Sequence, residues 1–330
     1  MTTAFDNLSP DRLSHGIYWQ RSWNIVLGCS PVSPGCANCW SAREAKRFAA
    51  HPNTRICSRY AGLTKAGRWT GLVRCNMSAL DLPREITKPT VFALWTDLFH
   101  EDVPDGFRDQ VFARMALEPQ HVFLVLTKRP EKMLEYLTDA STTRAAVRGE
   151  ILRWINPYEP LECIPWPLPN VFVGATAEDQ QRLDERAPHL VDLAGLGWRT
   201  WLSLEPLLGP VTFRWRQAWR GADGKKTALR PDRAETDHLD ILRRCSWIVA
   251  GGETGPGARP MYPDWIRTVR DECVEAEVPF LFKQWGEWLP DNQNSKMAGI
   301  GEHDRGSIRV GKKRAGRHID GQIWDSLPNL

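Results

Sequence analysis

The sequence predicts an α/β fold: a partial or irregular (β/α) barrel of TIM type with a cysteine loop near its amino end. Three observations predict it. Seven short runs of β-branched or aromatic residues alternate with segments of helical periodicity, the pattern of parallel βαβ units. Polar residues recur directly after those runs, on the edge where parallel α/β folds bind ligands. No internal repeat on the order of 20–50 residues is visible, which argues against a solenoid.

Taken in order, the first strand is expected at Asn24–Leu27; it leads into Cys29, Cys36 and Cys39, and a helix at Ser41–Ala50 follows. The second, Val91–Trp95, runs into Thr96, Asp97 and His100 before a helix at Asp105–Leu117. The third, Val122–Leu126, runs into Thr127, Lys128 and Arg129 and precedes helices at Pro130–Leu137 and Ala145–Trp154. The fourth, Val171–Ala175, gives way to Thr176 and Glu178 and then to a helix at Asp179–Leu193. The fifth, Thr200–Leu204, ends on Ser203 and Glu205. The sixth, Trp247–Ala250, is followed by Gly251, Gly252 and Glu253 and a helix at Pro263–Ala276; the seventh, Phe280–Phe282, is followed by Lys283, Gln284 and Trp285. Residues 1–290 should therefore form the barrel, with a surface insertion near 214–240 that is rich in Arg, Lys, Asp and Gly. Residues 291–330 form a basic C-terminal extension, polar and irregular at first, that carries Arg305, Arg309, Lys312, Lys313, Arg314 and Arg317 without an acid beyond Asp304 to separate them.

Composition narrows the class. With 42% hydrophobic and 25% charged residues over 330 positions, the chain reads as soluble and globular. Its amino terminus mixes polar, acidic and basic residues, unlike a secretory signal, and no apolar run approaches a bilayer span, so a cytoplasmic location is expected. A net charge of +3 is too small to imply nucleic acid by itself. Eight cysteines in so long a chain do not make a disulfide scaffold. Of the sixteen tryptophans most belong in the core, and some could stack on bases.

Cys29, Cys36 and Cys39 form C-x6-C-x2-C, and Pro31, Pro34 and Gly35 bend the chain between them, so the three thiols can converge on one metal centre. Zinc and iron–sulfur are the candidates. A closed zinc site wants four ligands, and no second C-x2-C completes one, although Cys57, Cys75 or a histidine could. His100 is the one histidine at a strand end and is a candidate for proton transfer, with Lys128 beside it on the rim. There is no P-loop, no H-E-x-x-H and no G-x-S-x-G. The glycine-rich run from Gly251 to Gly257 lacks dinucleotide spacing and has Pro256 where a helix should begin, which suits backbone contact to a small polar ligand instead.

The order of these pieces resembles the phage-type three-cysteine-motif family, a group largely of unknown function. The resemblance rests on Trp23-Asn24 through Cys39-Trp40, Thr96 to Pro104, Leu126-Thr127-Lys128-Arg129-Pro130, Leu202 to Leu207, Gly251 to Met261, Phe280 to Trp285 and Ala315 to Asp325. That family in turn looks like radical S-adenosylmethionine enzymes, whose usual spacing is C-x3-C-x2-C and whose partial barrels hold a [4Fe–4S] cluster on three cysteines. The resemblance implies that Cys29, Cys36 and Cys39 hold such a cluster and that S-adenosylmethionine binds at its open iron. Asp97 and Glu253 would meet cofactor or substrate amines and Thr176 and Glu178 ribose hydroxyls, with Ser203, Glu205, Gly251 and Gly252 completing the cofactor site. Lys128, Arg129 and Arg259 would meet an anionic substrate group, with Lys283 and Gln284 beside them. The partners expected are an electron donor, a nucleotide, DNA or RNA substrate and a partner protein, with no membrane. The rival expectation is a non-catalytic, zinc-stabilised nucleic-acid-binding or accessory protein.

Overall fold

Seven strands follow one another across a single parallel sheet in chain order. The computed structural model describes residues 3–154, 164–214, 239, 242–290 and 306–330. The strands are β1 (Arg21–Trp23), β2 (Val91–Leu94), β3 (Val122–Thr127), β4 (Val171–Thr176), β5 (Arg199–Leu204), β6 (Trp247–Ala250) and β7 (Phe280–Phe282). Each pairs in parallel with the next, and β1 and β7 do not pair with each other, so the sheet curls into an open half-barrel. The connecting helices are α1 (Trp40–Ala49), α2 (Thr54–Tyr60), α3 (Asp105–Leu117), α4 (Pro130–Thr138), α5 (Ala140–Trp154), α6 (Gln180–Gly195) and α7 (Pro263–Glu275).

Alternation along the strands builds two cores. Phe92, Phe123, Val173, Leu202, Ile248 and Phe280 face the helices in the larger one. Val91, Leu124, Phe172, Trp201, Trp247 and Leu281 face the concave side, where Ala4, Phe5, Leu8 and Tyr18 from the N-terminal segment cover them. Burial on both faces explains why these strands read as continuous apolar runs.

The first strand differs from expectation. Asn24–Leu27 is not the sheet strand: Arg21–Trp23 is, and Val26–Leu27 instead pairs antiparallel with Arg74–Cys75 in a separate ribbon. The cause is the edge position of β1, which buries only Trp23 and leaves Arg21 and Ser22 without the apolar signature of a central strand. Around that ribbon α1, α2 and a hairpin (Thr64–Lys65 with Arg68–Trp69) form a satellite with its own small core of Leu27, Ala45, Tyr60, Leu63 and Trp95.

The C-terminal extension is more ordered than its polarity suggests. Ser307–Arg309 pairs antiparallel with Trp288–Pro290, Lys312–Ala315 forms a helical turn, and His318–Ile319 pairs with Gln322–Ile323. The insertion expected near 214–240 lies almost wholly outside the described residues, as do Cys163 and Arg305. Among the described residues no helix is long and apolar enough to cross a membrane.

Candidate functional site

The cysteine loop lies across the C-terminal ends of the strands, and three rim carboxylates fasten it there. Glu178 and Glu253 each grip the neighbour of one cysteine directly, and Asp97 does so through Arg129. Beside Cys29, Ser30 Oγ accepts from Arg129 Nη2 at 2.6 Å, and Arg129 Nη1 donates to Asp97 Oδ2 at 2.9 Å. Beside Cys36, the Gly35 N–H donates to Glu178 Oε1 at 3.0 Å. Beside Cys39, Asn38 Nδ2 donates to Glu253 Oε2 at 3.0 Å. Gly28 opens the loop at φ +95°, and a Cβ there would stand 2.0 Å from the Leu72 carbonyl oxygen, so only glycine fits this turn.

The three anchors are themselves locked. Asp97 also accepts from the Phe99 N–H and from Thr127 Oγ1, at 3.0 and 2.6 Å. Glu178 is fully buried between Arg186 Nη1 at 2.9 Å and Lys128 Nζ at 3.5 Å. Burial pushes its carboxyl up, yet Lys128, Ser33, Arg186 and the Gly35 N–H together hold it below the usual glutamate range. Glu253 accepts from Arg259 Nε at 2.9 Å and Nη2 at 2.7 Å, and Arg259 Nη2 also reaches the Pro34 carbonyl at 3.1 Å. Against burial, Arg259 and Asn38 keep that carboxyl low as well.

His100 is buried in the same network. Its Nδ1 accepts from the Asp102 N–H at 3.1 Å, which leaves Nε2 protonated to donate to Ser30 Oγ at 2.8 Å. Burial and the Arg129 charge lower its pKa, so the ring is neutral and holds the loop. Burial and the Asp97 charge push the Cys29 thiol up to about 12, with Arg129 working in the opposite direction.

Under the loop lies a cavity of about 260 Å³ bounded by all three cysteines. Its floor is apolar, from Leu124, Leu126 and Trp201. Its opposite wall carries Tyr18, Thr176, Ser203, Glu205 and Lys283. Glu205 Oε1 lies 2.8 Å from Lys283 Nζ, and its Oε2 accepts from Tyr18 OH at 2.9 Å and Ser203 Oγ at 3.2 Å. Lys283 Nζ also sits over the rings of Tyr18 and Trp19, 5.5 and 5.1 Å from their centroids. Gln284 Nε2 donates to the Gly252 carbonyl, which fixes the amide and leaves Oε1 buried without a partner among the described residues. Trp95 Nε1, on the cavity's other side, is equally unpartnered.

The structure thus gathers most of the expected residues but divides them. Glu178, Glu253, Arg129 and Arg259 bond to the loop, Asp97 holds Arg129, and Lys128 donates to Ser33 Oγ at 3.3 Å; of these, Asp97, Lys128, Arg129 and Glu253 also line the cavity. Gly251 and Gly252 join strand ends: their N–H groups donate to the Leu204 and Gln284 carbonyls, and a Cβ at Gly252 would stand 1.9 Å from the Trp285 carbonyl oxygen. Thr176, Ser203, Glu205, Lys283 and Gln284 remain on the cavity wall. Sequence reading missed Ser30, Ser33, Asn38, Arg186 and Tyr18; for the first three the available signal was adjacency to a cysteine in a loop that has to be held. Cys57 donates to the Ala49 carbonyl and Cys75 sits in the ribbon opposite Val26; neither bounds the cavity. Among the described residues no three of His, Cys, Asp and Glu gather closely enough for a single metal ion.

No curated protein and no solved structure matches the chain. The family model described as "Protein of unknown function (DUF5131)" matches residues 14–328, and the chain, with its three-point cysteine loop over a curled parallel sheet, belongs to that family.

Proposed function

We propose that the protein is a radical S-adenosylmethionine-type iron–sulfur enzyme in which Cys29, Cys36 and Cys39 hold a [4Fe–4S] cluster. The carrying observation is the three-point fastening of the loop, by Glu178, by Glu253 and by Asp97 acting through Arg129, beside a cavity lined by apolar and polar side chains. The donor set fits the group. A cubane takes each thiolate on a different iron and leaves a fourth iron open, and these three thiols bound one shared cavity. We take the half-barrel as a TIM-type barrel lacking one strand, and the family as kin to the phage-type three-cysteine-motif proteins.

Together with S-adenosylmethionine and one electron from an external protein donor, such a cluster would, when bound, supply a 5′-deoxyadenosyl radical, with methionine released, able to take a hydrogen atom from substrate. The chain's own residues bind, orient and keep dry. Asp97, Glu178 and Glu253 hold the loop, and His100 and Arg129 hold Ser30. Thr176 and Ser203 suit ribose hydroxyls, and the unpartnered Gln284 Oε1 suits an ammonium or hydroxyl donor. Leu124, Leu126 and Trp201 exclude water from below.

Anaerobic reconstitution with metal and sulfide analysis tests the reading. Iron and sulfide in equal amounts are expected, lost in Cys36→Ala and kept in Cys57→Ala and Cys75→Ala. Stoichiometric zinc that disappears from Cys57→Ala or Cys75→Ala would replace this reading with a zinc-stabilised binding protein.

A further inference from the structure

From Arg12 to Leu80 the sequence contains ten Lys or Arg residues and one acid, Glu44. The whole chain carries only +3, so its remainder is net acidic and the positive charge is concentrated around the cysteine loop. Arg43 and Arg74 are spent on backbone carbonyls, Arg43 on Asn38 and Thr254, Arg74 on Arg59 and Ala61. Lys46 and Arg47 on α1, Arg55 and Arg59 on α2, and Lys65 and Arg68 on the hairpin are all exposed. Arg47 pairs with Glu44; among the described residues no carboxylate pairs with the other five.

The same satellite supplies aromatic surface to the cavity mouth. Trp40, directly after Cys39, is 51% exposed while one face stacks on Trp95 at 5.8 Å and 25°. Trp69, on the hairpin beside Arg68, also lines the cavity. Cations interleaved with partly exposed indoles are what a strand of nucleic acid requires: charges for phosphates and π-faces for unstacked bases. Trp95, on which Trp40 stacks, keeps a buried Nε1 with no partner among the described residues, a donor held back beside the cavity.

We infer that the satellite is a nucleic-acid-binding surface, on which exposed cations of α1, α2 and the hairpin hold the phosphates of a single strand and Trp40 and Trp69 receive a base at the cavity. An acidic protein would satisfy the cations and leave the indoles idle. As a substrate class for the cavity the inference rests on the proposed function, but equilibrium binding needs neither cluster nor turnover, so each can fail alone.

Fluorescence anisotropy with labelled single-stranded DNA and RNA oligonucleotides of 12 nucleotides (about one site) and with a duplex, in a salt series, measures it on as-isolated and iron-loaded protein. Single strands should bind more tightly than duplex. The triple variant Lys46→Ala, Arg59→Ala, Arg68→Ala should lower the magnitude of the salt slope by about 2, at roughly 0.7 per phosphate contact. Trp69→Leu should weaken binding at least fivefold with the slope unchanged. Lys313→Ala with Arg314→Ala, on the other basic segment, should change neither. Binding that is absent at low salt, a slope the triple variant leaves intact, or equal binding of polyglutamate, the acidic-protein outcome, would each overturn the inference.

Discussion

Two stretches of this chain are basic, and the difference between them lies in one residue. On the satellite six cations stand exposed, as do Arg309, Lys312, Lys313 and Arg314 in the C-terminal extension, whereas the last cation of the extension, Arg317, is buried as a strut. Arg317 is 5% exposed; its guanidinium donates to the Phe282, Leu13 and Trp324 carbonyls and so ties the extension to β7 and to the N-terminal segment. Arg309 reaches the Gly255 carbonyl. The lesson is that a run of like charge names no surface until the backbone carbonyls around it have been counted, since a planar guanidinium can satisfy several of them at once.

The largest expected effect sharpens that contrast. Arg317→Met should cost about 3 kcal/mol, because buried carbonyls lose charge-assisted donors and nothing replaces them. The satellite triple variant should stay within about 1 kcal/mol of the parent, as exposed substitutions do. Urea denaturation at neutral pH gives both values. A loss below about 1 kcal/mol for Arg317→Met would mean that its bonds form only weakly in solution and that the two regions do not differ as described.

A second, smaller effect separates the regions by pH. The cysteine loop hangs on the buried carboxylates Glu178 and Glu253; the extension hangs on neutral carbonyls and on the partly exposed carboxylates Asp320 and Asp325, which screening makes weaker holds. Glu178 and Glu253 have folded-state pKa values below their unfolded ones, so their stabilisation is complete above the unfolded value near 4.3 and is lost as pH falls through the folded values. Acidification below about pH 4 should therefore loosen residues 29–39 before residues 316–325. Hydrogen exchange, corrected for the intrinsic rate at each pH, should show protection falling severalfold in the loop while the extension holds. Equal loss in both would show that the carboxylates do not carry the loop.

What the sequence revealed follows from the range of the interactions concerned. Trp247–Ala250, Phe280–Phe282 and the helix Asp105–Leu117 are legible to the residue because strands buried along their whole length, β7 at the sheet's edge included, and buried helices write their environment into consecutive side chains. β1 is not, because an edge strand with one buried side chain leaves almost no pattern. The rim was legible as a rim: Asp97, Glu178 and Glu253 do sit where strands end. Their task was hidden, since Gly35 and Asn38, and the Ser30 that Asp97 reaches through Arg129, are far away in sequence and come into place only when the loop closes. The satellite's charge is in the sequence too, but spread over about sixty residues it is masked by a near-neutral total, whereas the shorter run at the chain's end is compact.

The smallest effect concerns Lys312, on the helical turn of the extension. Its surface is exposed, but the protein packed around its ammonium, and next the neighbouring Lys283, hold its pKa below the usual lysine range, and Glu205 and Glu287 offset only part of this. The unfolded chain therefore binds more protons than the folded one in the window between the folded value and the unfolded value near 10.4, and stability contributed by this group rises with pH through that window. At neutral pH its charge is a mild liability, tolerated beside Lys283. Lys312→Gln should accordingly be as stable as the parent or slightly more so at pH 7, by less than about 0.5 kcal/mol, and the advantage should vanish as pH approaches 10.4. Paired thermal unfolding of the two proteins across that range measures it. A clear loss of stability at pH 7 would show that the Glu205 and Glu287 carboxylates outweigh Lys283, which would make Lys312 a second strut like Arg317 and move the boundary between the two basic regions.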